Sequence, residues 1–320
     1  MKALLTTFLA AAASFLFTPS NALSTRTVYQ FSNPTWLENI VAMRNGSLLV
    51  TVVGRPEIHI VNPLATPSTA SLAASIPDVN AALGITELSN NMFAVAAGNV
   101  TADNTPVSGS FSVWSIDLTR RHGAAKISKM TDVPAMGMVN GLTALDKRTL
   151  LLADSWKGNI VALDVKSGDS SVWFEDESTA SNFSAPGLQL GVNGIKAYGE
   201  WVYFTNTVRN SLSRIRVDAA TRKPVSEVKV LAQGDDVAMP DDFAVLRDGS
   251  VILGRPLSDE LIKVDSKGTV QVIATVEGVT AVALGRSKAD RKAAYLSSMG
   301  GFTAEGGVKA GGRIVAVQLR

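Results

Sequence analysis

Short stretches in which apolar residues are continuous, or alternate with polar ones, follow one another along almost the whole chain. Turn sequences such as Lys166-Ser167-Gly168 separate them, and almost no stretch repeats its apolar residues with the period of a helix. This pattern predicts β-strands joined by antiparallel hairpins. Clear examples of the strands are Ser47–Val53, Thr149–Ala153, Trp201–Thr205 and Arg313–Leu319.

The strands recur as a unit made of an apolar strand, a turn, a second apolar strand, a polar loop and a third strand that often ends in Asp. Equivalent apolar positions lie about 40 to 57 residues apart, the length of a four-stranded propeller blade. Because one blade cannot bury both of its faces alone, we predict an all-β fold, a six-bladed β-propeller of four-stranded antiparallel blades. The equivalent positions are Ile40, Ile85, Leu142, Ile195, Phe243 and Val282.

The two ends of the predicted propeller domain are expected to meet. An early strand, Thr27–Phe31, would pair with the last strand, Arg313–Leu319, so that an N-terminal strand closes the ring. The alternative is a two-domain β-sandwich, which the regular spacing and the lack of a Pro/Gly-rich linker near the middle disfavour. We therefore predict a single domain over residues 23–320.

The first 22 residues have the pattern of a secretory signal peptide. Lys2 precedes an apolar run, Ala3–Phe17, and the segment ends in the small residues before Ala22. The apolar run is shorter than a membrane span, although an anchor that stays in place is the alternative. Residues 1–22 are thus predicted to direct the chain to the secretory pathway, as a secreted or luminal protein. The glycosylation acceptor pattern at Asn45, Asn99 and Asn182 suits that route.

The amino-acid composition excludes several classes of binding site and enzyme. With 30 Lys and Arg against 28 Asp and Glu, the chain has no basic excess that would bind nucleic acid. It contains no Cys, which excludes thiolate zinc sites, cysteine nucleophiles and disulfides. The chain has no Gly-x-Ser-x-Gly motif, which argues against an α/β-hydrolase. We expect small apolar substrates as partners, no nucleic acid and no membrane span once the signal is removed, and the sequence leaves the oligomeric state open.

Polar residues stand at the openings of four of the repeats. Since the first strand of each blade faces the central channel, Glu38, Asn140, Asn193 and Asp241, with its neighbour Asp242, would converge on one point. Such an oxygen-rich cup suits a hard cation such as Ca²⁺ or Mg²⁺. The alternative is that these residues are ordinary turn residues.

The Asn140-Gly-Leu and Pro240-Asp-Asp-Phe openings resemble those of the six-bladed propellers of the SMP-30/gluconolactonase and paraoxonase group. Three motifs are more similar to a secreted fungal branch of this fold, which includes the hetero-Diels–Alderases of tropolone sesquiterpene biosynthesis. These motifs are Trp36-Leu-Glu-Asn-Ile, Gly191-Val-Asn-Gly-Ile and Met239-Pro-Asp-Asp-Phe. The resemblance spans essentially the whole chain after the signal. In the larger group it implies metal binding by the residues that match Glu38, Asn140, Asn193 and Asp241, with Asp242 as a further ligand.

The chain also departs from the hydrolases of that group. Asn39 follows Glu38 where they usually have Gly-Pro, and Glu87 closes the second repeat's opening, in which a substrate-contacting Asn is common. The paraoxonase pair of histidines is absent, because the only histidines are His59 and His122.

Three functions are consistent with these residues and motifs. The first is a cyclase that catalyses a hetero-Diels–Alder-type cycloaddition between a terpene and a reactive quinone methide, as the fungal branch implies; it needs an apolar pocket and no cofactor. Its walls would include Trp36, Trp156, Met239 and Phe243, with Asn140, Asn193 and Asp241 as polar contacts; the alternative for each aromatic is packing between blades.

The second is a lactonase or esterase that uses Ca²⁺ or another divalent metal in the channel, in which Asp241 or Glu38 activates water. The third is a binding propeller without catalysis. A chelator should abolish hydrolysis and leave a cycloaddition unaffected.

Overall fold

The computed structural model describes residues 22–119, 125–184, 189–301 and 309–319, and these form β-strands and a single short 3₁₀ helix. The predicted signal peptide, apart from residue 22, and His122 lie outside the described residues. The strands are β1 (Thr25–Gln30), β2 (Trp36–Ala42), β3 (Leu48–Val53), β4 (Glu57–Asn62), β5 (Thr69–Ser75), β6 (Ala81–Ser89), β7 (Met92–Gly98), β8 (Ser112–Asp117), β9 (Lys126–Asp132), β10 (Val139–Ala144), β11 (Thr149–Asp154), β12 (Asn159–Asp164), β13 (Ser170–Glu175), β14 (Val192–Tyr198), β15 (Trp201–Asn206), β16 (Ser211–Arg216), β17 (Lys229–Gln233), β18 (Phe243–Val245), β19 (Val251–Arg255), β20 (Glu260–Val264), β21 (Val270–Thr275), β22 (Val279–Leu284), β23 (Ala293–Ser298) and β24 (Arg313–Gln318), and the 3₁₀ helix η1 spans Asp235–Val237.

The strands form antiparallel meanders of four. Separate four-stranded sheets contain β10 to β13, β14 to β17, and β18 to β21, and a fourth is ordered β1-β24-β23-β22. The predicted propeller of four-stranded antiparallel blades is therefore confirmed, and β1 pairs with β24.

The predicted division into six separate blades differs from the observed sheets. Strands β2 to β9 belong to one eight-stranded sheet, so the structure has four separate four-stranded sheets rather than six. The physical reason is a single residue pair, Val53 of β3 with Ala81 of β6, which joins the meander β2 to β5 to the meander β6 to β9.

The hydrophobic core lies between neighbouring sheets. One cluster packs Tyr203 and Leu212 of the β14–β17 sheet against Phe243, Leu253 and Ile262 of the β18–β21 sheet. The second strands are almost entirely apolar, and their side chains are buried on both faces. Such strands need a neighbouring sheet on each side. Because both faces are buried, their sequences are continuous apolar runs and do not alternate strictly between apolar and polar residues.

Within the described residues, no helix is long and apolar enough to cross a membrane.

Candidate active site in the central channel

A β-bulge interrupts the first strand of several meanders at the place where the sequence has its polar residue. The pairing register shifts between Leu37 and Ile40 in β2, between Val139 and Leu142 in β10, and between Val192 and Ile195 in β14. A bulge re-aims the side chains of the residues it contains. Glu38, Asn140 and Asn193 lie within these three bulges.

The first strands approach one another very closely at the bulges. A Cβ added to Gly141 would overlap the carbonyl oxygen of Asn193, and one added to Gly194 would lie 2.6 Å from Asp242 Oδ1. The Asn-Gly pairs therefore lie inside strands, where glycine permits backbone contact between neighbouring strands, and not in tight turns.

The polar residues line one cavity of about 330 Å³. Of the residues predicted for the site, the structure brings six together around it: Trp36, Glu38, Asn140, Asn193, Met239 and Asp241. The remaining wall is mainly apolar, and the rim carries two polar residues of the loop after β7. These further lining residues are Val53, Leu83, Val100, Asp103, Asn104, Met138, Leu190, Thr207, Pro240, Pro256, Leu257 and Met299.

Two predicted wall residues, Phe243 and Trp156, do not line this cavity. Phe243 is fully buried between sheets and borders a second cavity, of about 580 Å³, formed by later residues of the first strands. Trp156 packs against Gly137, and its ring meets the Phe183 ring edge-on at 4.8 Å between centroids. The structure therefore does not bring these two residues together with the other predicted wall residues around the 330 Å³ cavity.

The Glu38 side chain is buried and lines the cavity. Its Oε2 accepts a hydrogen bond from Trp36 Nε1 at 2.9 Å. The pKa of Glu38 is raised to about 7, mainly by burial; the indole hydrogen bond opposes the increase, and the nearby charge of Asp242 contributes to it.

Asp241 is half-buried, lines the same cavity as Glu38 and lies close enough to interact with it electrostatically. Desolvation raises the pKa of Asp241 well above its usual value, and the charges of Glu38 and Asp242 act in the same direction, while a hydrogen bond from Asn193 lowers it. Asn193 Nδ2 also donates to Thr207 Oγ1 at 2.9 Å. The amide of Asn193 is thus held between an acid and a hydroxyl.

Asp242 differs from its neighbour. Its carboxylate accepts hydrogen bonds from Lys196 Nζ at 2.6 and 2.5 Å and from the Phe243 N–H at 2.8 Å. Asp242 is buried and does not line the 330 Å³ cavity. Since Lys196 already compensates its charge, the structure does not support Asp242 as a further metal ligand.

The remaining donors fit a hard cation in their chemistry. Two carboxylates and two side-chain amides, from Glu38, Asp241, Asn140 and Asn193, face one cavity, and oxygen ligands of this kind suit Ca²⁺. These four residues would hold such an ion. Within the described ranges no group of three or more His, Cys, Asp or Glu side chains could hold a metal. Amide oxygens would therefore have to complete the ligand set.

Sequence reasoning missed the hydroxyls that fix the bulges. Thr51 Oγ1 accepts from the Asn39 N–H at 3.0 Å and donates to the Leu83 carbonyl of the next meander at 2.7 Å. Thr205 Oγ1 likewise accepts from the Gly194 N–H at 2.9 Å and donates to the Asp241 carbonyl at 2.8 Å. A threonine that interrupts the apolar residues of a second strand is the signal that marks them.

Lys196 was missed as well, although a lysine in the apolar first strand β14 is a visible sequence feature. The cavity residues Met138, Leu190, Leu257 and Met299 come from loops and strand ends. No repeat-equivalent pattern distinguishes these residues from packing residues.

The amino-acid sequence is similar to those of two proteins of known name. No family model matches the chain. A protein of Phoma sp named "Putative hetero-Diels-Alderase" is 24% identical over 315 residues, 88% of this chain and 89% of that protein. A second, "Putative hetero-Diels-Alderase asR5" of Sarocladium schorii, is 26% identical over 250 residues, 70% of this chain, and the match spans 61% of its length.

Among solved structures, the calcium-binding protein regucalcin of Agrobacterium tumefaciens superposes with a TM-score of 0.67 at 14% identity, over 94% of this chain and 96% of that one. The fold is a β-propeller similar to that of regucalcin. The resemblance to this group and to its hetero-Diels–Alderase branch, predicted from the motifs, is confirmed. At 14% identity the structural match establishes the fold alone.

Proposed function

We propose that this SMP-30/regucalcin-like propeller is a cyclase that joins a terpene and a polyketide-derived quinone methide by a hetero-Diels–Alder-type cycloaddition. The observation that carries the proposal is the 330 Å³ cavity, in which apolar walls surround amide and carboxyl groups. Two relatives whose names describe hetero-Diels–Alderases support the same reaction class.

The cavity has what a cycloaddition requires. Two new σ bonds form at the expense of π bonds, and no atom leaves, so the protein must hold two apolar partners in reacting geometry and polarise a carbonyl. In our proposal Trp36 and Met239 contact the hydrocarbon. The Asn140 amide donates a hydrogen bond to the quinone methide oxygen, whereas the Asn193 amide is engaged by Thr207 and Asp241.

The proposal is tested with a sesquiterpene hydrocarbon and a quinone methide generated in solution, the adduct being measured by liquid chromatography and mass spectrometry. Asn140→Leu keeps the side-chain size and removes the donor, so we expect the adduct to form about tenfold more slowly, the value of one hydrogen bond. Asn45→Ala, in an exposed turn outside the cavity, is the control and should leave the rate unchanged. A chelator should have no effect.

If the protein does not raise adduct formation above the uncatalysed rate, or if a chelator abolishes the acceleration, the cyclase proposal is wrong.

The second candidate function is a divalent-metal-dependent lactonase or esterase. The observation that favours it is the convergence of Glu38, Asn140, Asn193 and Asp241 on one cavity. A bound cation would polarise the ester carbonyl. This candidate predicts the opposite chelator result, together with lactone hydrolysis that Asp241→Asn removes.

We further propose that the propeller ring has six blades closed by β1. The eight-stranded sheet consists of two four-stranded meanders joined by one residue pair, which supports counting it as two blades. The first strands β2, β6, β10, β14, β18 and β22 contact one another in that order, and β22 contacts β2.

We also propose that the protein enters the secretory pathway and is glycosylated at its acceptor asparagines. Asn45 and Asn182 are exposed, which suits modification, whereas Asn99 is partly buried. The signal peptide, the glycans and the single-domain organisation of residues 23–320 rest on the sequence pattern.

A further inference from the structure

The backbone of Met239 adopts an unusual conformation at the cavity wall. Its φ is 50°, in the left-handed region that residues other than Gly, Asn and Asp rarely adopt. The next residue is Pro240, and a residue before proline favours an extended backbone. Met239 therefore occupies a conformation that both its own side chain and its neighbour disfavour.

Side chains from both neighbouring strands and loops hold this segment in place. Backbone groups of all four residues from 238 to 241 have a side-chain partner, so the unfavourable conformation is over-determined by its surroundings. The hydrogen bonds run from Arg255 Nε to Ala238 O (3.2 Å), from Met239 N to Asn210 Oδ1 (2.9 Å), from Thr207 Oγ1 to Pro240 O (3.0 Å) and from Thr205 Oγ1 to Asp241 O (2.8 Å).

The same hydrogen bonds also connect the apolar and polar sides of the cavity. Met239 is half-buried and lines the cavity two residues before Asp241. Thr207, which holds the Pro240 carbonyl, also accepts the hydrogen bond from Asn193 Nδ2. A shift of the Met239 backbone would therefore also move the polar contacts.

Methionine is suited to shape an apolar wall. Its side chain is unbranched and its thioether is polarisable, so it adapts to the surface of a hydrocarbon. Three methionines, Met138, Met239 and Met299, line this cavity. Of the three, only Met239 has a positive φ.

We propose that Met239 determines which hydrocarbon the cavity accepts, by size, and that Asn210 is the positioning residue that holds Met239 against the ligand. This inference rests on the proposed cyclase function, because it assumes an apolar hydrocarbon as one partner. It adds a specificity residue and its support to that site.

The test uses binding rather than turnover. The affinities of limonene, a monoterpene hydrocarbon, and of a monocyclic sesquiterpene hydrocarbon are measured from their depletion in the headspace above a protein solution. The variants are Met239→Gly, which removes the side chain and tolerates the φ, and Asn210→Gly, which tolerates the φ of 50° at Asn210 while removing the acceptor. Asn210→Asp keeps an acceptor oxygen and serves as the rescue.

We expect Met239→Gly to weaken limonene binding about tenfold, because a small ligand loses the contact of a whole side chain. The larger hydrocarbon should lose less than about threefold, since it can fill the space. Asn210→Gly should shift the ratio of the two affinities in the same direction, and Asn210→Asp should restore it. The melting temperature of Met239→Gly should stay close to the wild-type value, because relief of the backbone strain opposes the loss of side-chain contacts.

Asp78→Gly is the matched control. Asp78 also has a positive φ, of 64°, but it is exposed and does not line the cavity, so its replacement should leave the affinity ratio unchanged. A ratio within twofold of wild type in both Met239→Gly and Asn210→Gly overturns the inference and leaves the cyclase proposal intact. If the wild-type protein binds neither hydrocarbon, both proposals are wrong. Should Met239→Gly fail to fold, the Asn210 pair alone decides.

Discussion

Glycine follows asparagine at two of the four polar positions of the cavity because the neighbouring first strands leave no room for a side chain there. At Gly141 a methyl group would overlap the Asn193 carbonyl oxygen, and at Gly194 it would crowd the Asp242 carboxylate. Neither glycine has a positive φ. Their role is therefore close approach between strands, and that approach brings Asn140 and Asn193 to one cavity.

Gly141→Ala should consequently destabilise the protein by at least about 3 kcal/mol, since the obstruction is backbone in a tightly packed interior. The matched control is Gly199→Ala, where a Cβ meets nothing within 4 Å and only the positive φ of 61° is unfavourable. That control should cost about 1 kcal/mol. Urea unfolding measures both, and equal costs would contradict the close-approach explanation.

At the scale of elements, the third strand of three meanders ends at or just before an aspartate that organises the hairpin to the fourth strand. Asp164 accepts from the N–H groups of Lys166 and Ser167, and Asp218 and Asp265 make equivalent bonds. Backbone hydrogen bonds hold the pKa of each of these aspartates below its usual value. The aspartate that ends the third strand in the sequence pattern thus stabilises the turn that follows it.

These aspartates should make stability depend on acid pH. Because the folded-state pKa is lowered, the stabilisation is fully present above the unfolded-state value of about 3.9 and is lost as the pH falls through the folded-state pKa. The triple variant Asp164→Asn, Asp218→Asn, Asp265→Asn should therefore lose stability at neutral pH and show a shallower decline below about pH 4. Urea midpoints across that range measure it, and parallel curves for the variant and the wild type would exclude this role.

Sequence alone predicts the elements better than their exact placement in the channel. Glu38, Asn140, Asn193 and Asp241 could be found because they recur at equivalent positions of a repeat. Phe243 could not be placed, because two residues along a strand span roughly 6.6 Å, enough to move it from one cavity to the next. The left-handed Met239 has no sequence signal at all, since Met-Pro predicts an extended backbone.

At the scale of the whole molecule, the two ends of the described chain meet in one sheet. β1 pairs with β24, and Val28 of β1 packs in a cluster with Leu37 and Val61, which belong to the sheet of β2 to β9. Ile314 of β24 lies in the same cluster. The N-terminal strand therefore contributes to the core between the last sheet and the first, and losing it should affect the whole fold rather than one edge.

Val28→Asp tests this contribution. A carboxylate placed among these apolar side chains would be buried without a partner, so we expect a loss of about 3 kcal/mol or more in a single cooperative unfolding transition. Thr25→Asp introduces the same side chain at an exposed position of the same strand and should change stability by less than about 0.5 kcal/mol. Urea unfolding followed by both tryptophan fluorescence and circular dichroism measures the effect. Separate transitions for the two probes would mean that β1 stabilises only its own sheet, because the remaining sheets would then unfold independently of it.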